Sequence, residues 1–201
     1  MPRSKQAFEE LRNQTLEKIE RAALSLFSRY GLSVSISQIA KEAGISQGLL
    51  YHHYSSKDEL IASLASKAMQ ISVDTMTQLA NAPIPVKMKI NALSEGMCAA
   101  FQGEKMGAEN FMFMAHFWMQ RANIKSAFDK DYTDALPILA EIVSAGQNEG
   151  SVAGGDPLLL ATTYWAAIQG ICTYLVLGVE MIPPPEMLSR ILLKDEENCN
   201  E

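Results

Sequence analysis

A chain of 201 residues with a formal net charge of −6, 48 % hydrophobic and 20 % charged, has the composition of a globular protein, with room for one large domain or two modest ones. Its three cysteines, Cys98, Cys172 and Cys199, are widely spaced and odd in number, which argues against a disulfide framework or a zinc knuckle and suits a reducing cytoplasm. The opening MPRSKQAFEELR is charged and lacks an apolar stretch, so no secretory signal is expected.

Taken in chain order, the pattern is helical nearly throughout, with no sustained alternation of the kind a strand requires. Ile19, Ala22, Ala23, Leu26, Phe27 and Tyr30 follow the spacing of a single buried helical stripe, and Gly31 stops that helix as a left-handed cap. Ser35 is the expected N-cap of a short helix from Ile36 to Ala43, with Ile39, Ala40 and Ala43 inward. After Gly44, Ser46 caps a third helix running to about His53. Ser56 and Glu59 form a capping box that opens a long fourth helix, expected to reach Leu79 before the breaker NAPIP.

Charge changes along this fourth helix. Residues 1–60 hold 8 Lys/Arg against 7 Asp/Glu, whereas residues 61–201 hold 9 against 16. A domain boundary near Leu60 follows, dividing 1–60 from 61–194, with the polar 195–201 as a disordered tail. Beyond the boundary, helices are expected at about 86–102, 108–122, 125–148, 157–179 and 186–193, with Pro137 kinking or splitting the third of these. Asp156 and Pro157 supply the N-cap and first position of the fourth. The run from Leu158 to Val179 is uncharged and long enough to span a bilayer. Gln169, three threonines and the acidic flanks Asp156 and Glu180 favour a protein core instead, so no membrane association is expected.

Two short helices joined by a tight glycine-containing turn and backed by a third predict a helix-turn-helix, whose second helix enters the major groove of double-stranded DNA. Leu50 and Tyr54 fall one turn apart and should face inward, while Gln47 and Tyr51 share another face. Gln47 carries the paired donor and acceptor that match adenine. Gly48 lets the backbone approach the groove wall, and Leu49 is expected to be exposed toward a thymine methyl. Lys57 stands at the positive end of its helix, a mild electrostatic conflict that a phosphate would remove.

The stretches AALSLFSRYG (Ala22 to Gly31), SISQIAKEAGIS (Ser35 to Ser46) and GLLYHHYSSKDEL (Gly48 to Leu60) resemble the DNA-binding domain of the TetR family of bacterial transcription regulators. The resemblance covers about Arg12 to Leu64, roughly a quarter of the chain. It implies that Gln47, Gly48, Leu49 and Tyr51 face DNA, and that Tyr51, His53, Lys57 and the segment from Ser35 to Ser37 touch phosphates. Where some members carry an arginine that reads guanine, this chain has Ser37. The family's known architecture further implies a helical effector-binding and dimerisation domain, so the expected fold is all-α: a three-helix N-terminal domain followed by a C-terminal helical one. A homodimeric repressor released from a pseudo-palindromic operator is the expected function. A helical binding protein or adaptor without an operator is the alternative. No enzyme is expected, since no nucleophile with a nearby base, phosphate loop or HExxH occurs.

Residues 97–119 hold five methionines, four phenylalanines and one tryptophan, an adaptable apolar set that points to an apolar or aromatic effector. Met97, Phe101, Phe111, Met114, Phe117 and Trp165 are the expected lining, with His116, Gln169 and Tyr164 to orient the ligand. By position and by the Gly-rich loop between them, the helices at 125–148 and 157–179 resemble the pair that forms the family's dimer interface, which implies Leu139, Ile142 and Val143 on one and Trp165, Ile168 and Leu175 on the other as an apolar seam between two subunits. Neither metal nor cofactor is expected: His52 and His53 are adjacent on a helix and point apart, and the remaining histidine is the distant His116.

Overall fold

The computed structural model of the chain describes residues 5–102, 107–120 and 135–194. Their elements are α1 (Lys5–Tyr30), α2 (Ile36–Glu42), α3 (Gln47–His53), α4 (Lys57–Asn81), α5 (Val86–Gln102), α6 (Gly107–Gln120), α7 (Ala135–Asn148), α8 (Pro157–Val176) and α9 (Pro185–Ser189). The fold is all-α. Extended pairing among the described residues is limited to one isolated antiparallel bridge, Val152 to Leu193. The expected helix start at 125, the break at Asn123 and the tail at 195–201 lie outside the described residues.

Two compact units divide the chain inside α4, between Ser66 and Lys67, rather than near Leu60. The first holds α1, α2, α3, the beginning of α4 and α6 from Glu109; the second holds the rest of α4, α5, α7, α8 and α9. A charge change along a helix marks a change in its solvated face, which need not coincide with a change in what its apolar face packs against.

In the first unit, Ile19, Ala22, Ala23 and Phe27 of α1 are buried as their spacing requires. Tyr30, expected inward, is 65 % exposed. It is the last residue of α1, and Gly31 closes the helix there with φ 73 and its N–H on the Phe27 carbonyl at 2.9 Å. Below the cap, Phe27 stacks on Phe113 of α6, their ring centroids 5.8 Å apart. Ile36, Ile39 and Ala40 of α2 complete this core, while Ala43 is a half-buried C-cap.

In the second unit α7 packs chiefly on α8, and α5 on α9 and α7. Gly146 of α7 permits this approach: a Cβ built there would clash with the Val152 side chain and lie 2.7 Å from Val86 Cγ1. Glu149 accepts the Val86 N–H at 3.0 Å, satisfying one of the donors left open at the start of α5. Pro137 stands in the first turn of α7, where its missing N–H costs nothing, and the stretch before Ala135 in which a kink or split was expected lies outside the described residues. Asp156 caps α8 through the Leu159 N–H at 2.8 Å, with Pro157 in the first turn. Backbone bonds from Ala153 to Leu192 (2.9 Å) and from Lys194 to Ser151 (3.1 Å) tie down the segment after α9, which ends at Ser189 rather than near 193.

Leu139, Ile142, Val143 and Ile168 are buried within the chain itself. The expected intersubunit seam is therefore the packing of α7 on α8 inside one subunit. A different face of α8 is open: Leu159, Thr163, Ala166, Gly170, Tyr174 and Leu177 are all exposed. This explains why α8, by length and composition the one described helix apolar enough to cross a membrane, has only 22 % of its apolar window buried.

Candidate nucleic-acid interface

Side-chain caps set the starts of α2 and α3, reciprocal in α2 and one-way in α3. Ser35 accepts the Gln38 N–H at 3.3 Å while Gln38 Oε1 accepts both the Ser35 N–H (2.9 Å) and its hydroxyl (2.8 Å), so α2 starts at a fixed point. Ser46 does the same for α3 by accepting the Leu49 N–H at 3.1 Å. Leu50, fully buried, anchors α3 from below, and Tyr54 closes it, buried, with its hydroxyl donating to Glu20 of α1 at 2.9 Å. Burial, reinforced by the Glu20 charge, pushes the Tyr54 phenol far above its ordinary value, so it stays a donor across the working pH range.

With Leu50 and Tyr54 inward, the opposite side of α3 is open. Gln47, Gly48 and His52 are exposed, Leu49 is 39 % exposed and Tyr51 51 %. No atom comes closer than 4.0 Å to a Cβ placed on Gly48, so that surface is clear for close approach of a partner. Ser37 is exposed on the first turn of α2. Ser35 is exposed too, although its hydroxyl is already spent on Gln38. His53 is half-buried, and burial first, then the charges of His52 and Arg12, hold its imidazole below the ordinary value.

Lys57 has a partner that its sequence position did not reveal. Its ammonium donates to the Leu32 carbonyl at 2.9 Å across the turn between α1 and α2. The cap of α4 also differs in detail. Glu59 donates its N–H to Ser56 Oγ at 3.0 Å, but its carboxylate reaches Ser55, accepting the N–H at 2.6 Å and the hydroxyl at 2.5 Å. Those two bonds hold the Glu59 carboxyl below its ordinary value.

The expected effector residues divide between the two units. Phe111, Met114 and His116 of α6 are half-buried, and Phe117 is fully buried, its ring 6.5 Å from that of Phe113. His116 lies over the cap of α1, where a Cβ on Gly31 would stand 3.6 Å from its Nδ1. Met97, Phe101, Trp165 and Gln169 are half-buried in the second unit. There Ser94 and Tyr164 form a buried polar pair, with 3.1 Å between their hydroxyls. Burial pushes the Tyr164 phenol up to about 12, so the pair is uncharged at neutral pH. Cys98, one turn from Ser94, donates to the Pro183 carbonyl at 3.3 Å, and burial raises its thiol as well. Among the described residues no three His, Cys, Asp or Glu side chains converge as a metal site.

The capped helices, the inward Leu50 and Tyr54 and the open face of α3 fall within residues 19–64, which match the profile of the tetR family of bacterial regulatory proteins. Residues 19–64 are a TetR-family domain. The HTH-type transcriptional regulator BetI of Vibrio campbellii is 31 % identical over 111 residues, 54 % of this chain and 56 % of that protein. The chain thus matches only about half the length of such curated relatives. Solved structures share the fold beyond the TetR domain. One, described as a transcriptional regulator of Saccharomonospora viridis in complex with choline, superposes with a TM-score of 0.62 at 18 % identity, over 91 % of this chain and 100 % of its own. SmeT of Stenotrophomonas maltophilia, solved with triclosan, gives 0.61 at 18 % identity, over 90 % and 93 %.

The resemblance pointed to His53 but not to the groups that act on it beside burial, His52 and, outside the matched residues, Arg12.

Proposed function

We propose that the chain is a DNA-binding transcription regulator that acts as a homodimer and releases its operator when a small, uncharged effector binds. The open face of α3 carries the DNA reading. Gln47, Gly48, Leu49 and Tyr51 are presented together on a helix that is capped at both ends and anchored by Leu50 and Tyr54. Gln47 serves adenine through its paired amide groups, Leu49 a thymine methyl, and Tyr51, His53 and Lys57 the backbone. The exposed stripe of α8 is the surface for the second copy, with Ala166 and Gly170 allowing close approach between Leu159 and Leu177. Such a dimer, working on soluble DNA, fits a cytoplasmic location.

An uncharged effector fits the interior. Ser28, Ser94 and Ser189 and the hydroxyls of Tyr54 and Tyr164 are buried polar groups among the described residues, none of them charged, so a buried ionic ligand would lack a counter-charge. The candidate contacts are Met97, Phe101 and Trp165 with Gln169 in the second unit, and Phe111, Met114 and Phe117 with His116 in the first, each set considered by itself. The mechanism is linkage: an effector preferring one arrangement of the helices lowers DNA affinity, and DNA lowers effector affinity by the same factor. A tenfold effect requires about 1.4 kcal/mol of coupling. Selection of bound genomic fragments tests the reading. Inverted half-sites about one helical turn apart support it; a bound set without inverted symmetry, or no enrichment, overturns it.

A further inference from the structure

The interior of the second unit leaves one hydroxyl hydrogen without an acceptor. Ser94 of α5 and Tyr164 of α8 are both fully buried, and their oxygens lie 3.1 Å apart. Each hydroxyl brings one donor, and the contact between them uses one of the two. Whichever group donates, the other's O–H remains, and among the described residues no acceptor stands within reach of it. Buried donors are nearly always paired, because an unmade bond carries the full cost of desolvation. Burial pushes the Tyr164 phenol up to about 12, so the surplus proton is not lost to solution at neutral pH. The setting of the pair is apolar. Ile90 and Cys98 stand one turn to either side of Ser94 on the buried row of α5, and Ala161 and Ile168 bracket Tyr164 on that of α8. Met97, one turn on from Ser94, and Trp165, its ring edge-on to Tyr164 with 6.1 Å between centroids, are half-buried. These flanking side chains reach solvent, and a methionine repacks readily around a guest.

We propose that the Ser94–Tyr164 pair is the polar anchor of the effector site, and that it selects an uncharged apolar molecule carrying a carbonyl-type oxygen. The assignment rests on the chain being a regulator that binds a small effector. An acceptor oxygen placed against the pair takes the surplus hydrogen and converts an unfavourable buried group into a satisfied one. A hydrocarbon of the same shape leaves that donor unmade, and a site built around a hydrogen bond rejects such an analogue more strongly than an apolar wall rejects a missing methylene. A carboxylate also accepts, but the buried polar groups of the described residues are uncharged, so its charge would be desolvated without a partner. An alcohol accepts while adding a further donor to be placed. The ketone, ester or lactone oxygen, which accepts and brings no hydrogen, is the group that closes the count.

The test is calorimetric titration of the full chain with matched probes. Acetophenone is paired with ethylbenzene, and benzophenone with diphenylmethane, each hydrocarbon replacing the carbonyl by a methylene; 4-benzoylbenzoate adds a carboxylate. At least one ketone is expected to bind about tenfold or more tightly than its hydrocarbon, and 4-benzoylbenzoate more weakly than benzophenone. In the double variant Ser94→Ala/Tyr164→Phe the ratio of ketone to hydrocarbon should fall to near one, with the hydrocarbon's own affinity unchanged. Each single variant keeps one hydroxyl and should keep part of the ratio. Removing both hydroxyls leaves no partner unpaired, so the double variant should unfold at the parent's midpoint or above it. A ratio that survives in the double variant, or a midpoint several degrees lower with no change in the ratio, makes the pair a structural bond and overturns the proposal. Failure of both ketones to bind, or a ratio near one in the parent, overturns it too and leaves the operator reading standing. A parent that shows the ratio but selects no genomic fragment keeps the site and loses the operator.

Discussion

Lys57 shows how much a single side chain's role depends on a partner distant in sequence. At the start of α4 a lysine opposes the helix dipole, and a phosphate is the obvious relief. The fold provides a nearer one in the Leu32 carbonyl at 2.9 Å, 25 residues away. Lys57→Ala should therefore cost folding stability, about 1–2 kcal/mol for a half-buried charged hydrogen bond, as well as DNA affinity. Denaturant unfolding distinguishes the two roles: a variant as stable as the parent but weaker on DNA would assign Lys57 to the phosphate alone. Gln47 is the contrasting case. It is exposed and at the start of α3, so Gln47→Ala should leave stability unchanged and relax preference at one base pair, at a cost of about 1–3 kcal/mol. Binding to single-substituted operators checks this, and uniform weakening across all of them would remove Gln47 from base readout. Caps such as Ser35, Ser46 and Asp156 were legible because their bonds close within four residues; the Lys57 bond was not, because periodicity carries no information about a turn 25 residues back.

At the scale of elements, helix positions could be read from spacing, but the neighbours of each helix could not. Leu139, Ile142 and Val143 make an apolar stripe that would serve equally for a partner subunit or for α8 of the same chain; the fold uses it for α8. Gly146 is the device that permits this packing, and it looked like any other helical glycine in the sequence. Its φ is not among the positive ones, so alanine would suit the backbone and add about 1 kcal/mol of helix propensity. The side chains of Val152 and Val86 occupy the space, and Gly146→Ala should instead destabilise the second unit by a net 1–2 kcal/mol, about what overpacking costs. Gly96 of α5 is the matched control. Nothing lies within 4 Å of a Cβ there, and Gly96→Ala should raise stability by about 0.5–1 kcal/mol. Thermal unfolding of the two variants should move in opposite directions, and equal shifts would mean that the α7 approach to Val86 and Val152 is looser than described.

For the whole molecule, the proposed homodimer raises the question of which face of α8 would meet the second copy. Isologous contact at a twofold axis brings the same residues together, so one charge added at its centre is added twice and opposed to itself. Ala166 is exposed at the middle of the stripe from Leu159 to Leu177, and Ala166→Glu leaves the chain's own core untouched. Sedimentation should show this variant as a folded monomer at micromolar concentration, with the helical circular dichroism of the parent. Its DNA affinity should fall by a hundredfold or more, because two linked half-site contacts become one, a loss of the order expected when avidity worth about 10²–10⁴ is removed. Leu139→Ala serves as the counterpart. Leu139 is fully buried, so its truncation should lower folding stability by about 2–5 kcal/mol and leave the surviving folded protein dimeric. If Leu139→Ala dissociates the dimer at full stability while Ala166→Glu remains dimeric, the subunit seam lies on α7 and the open stripe of α8 has another use.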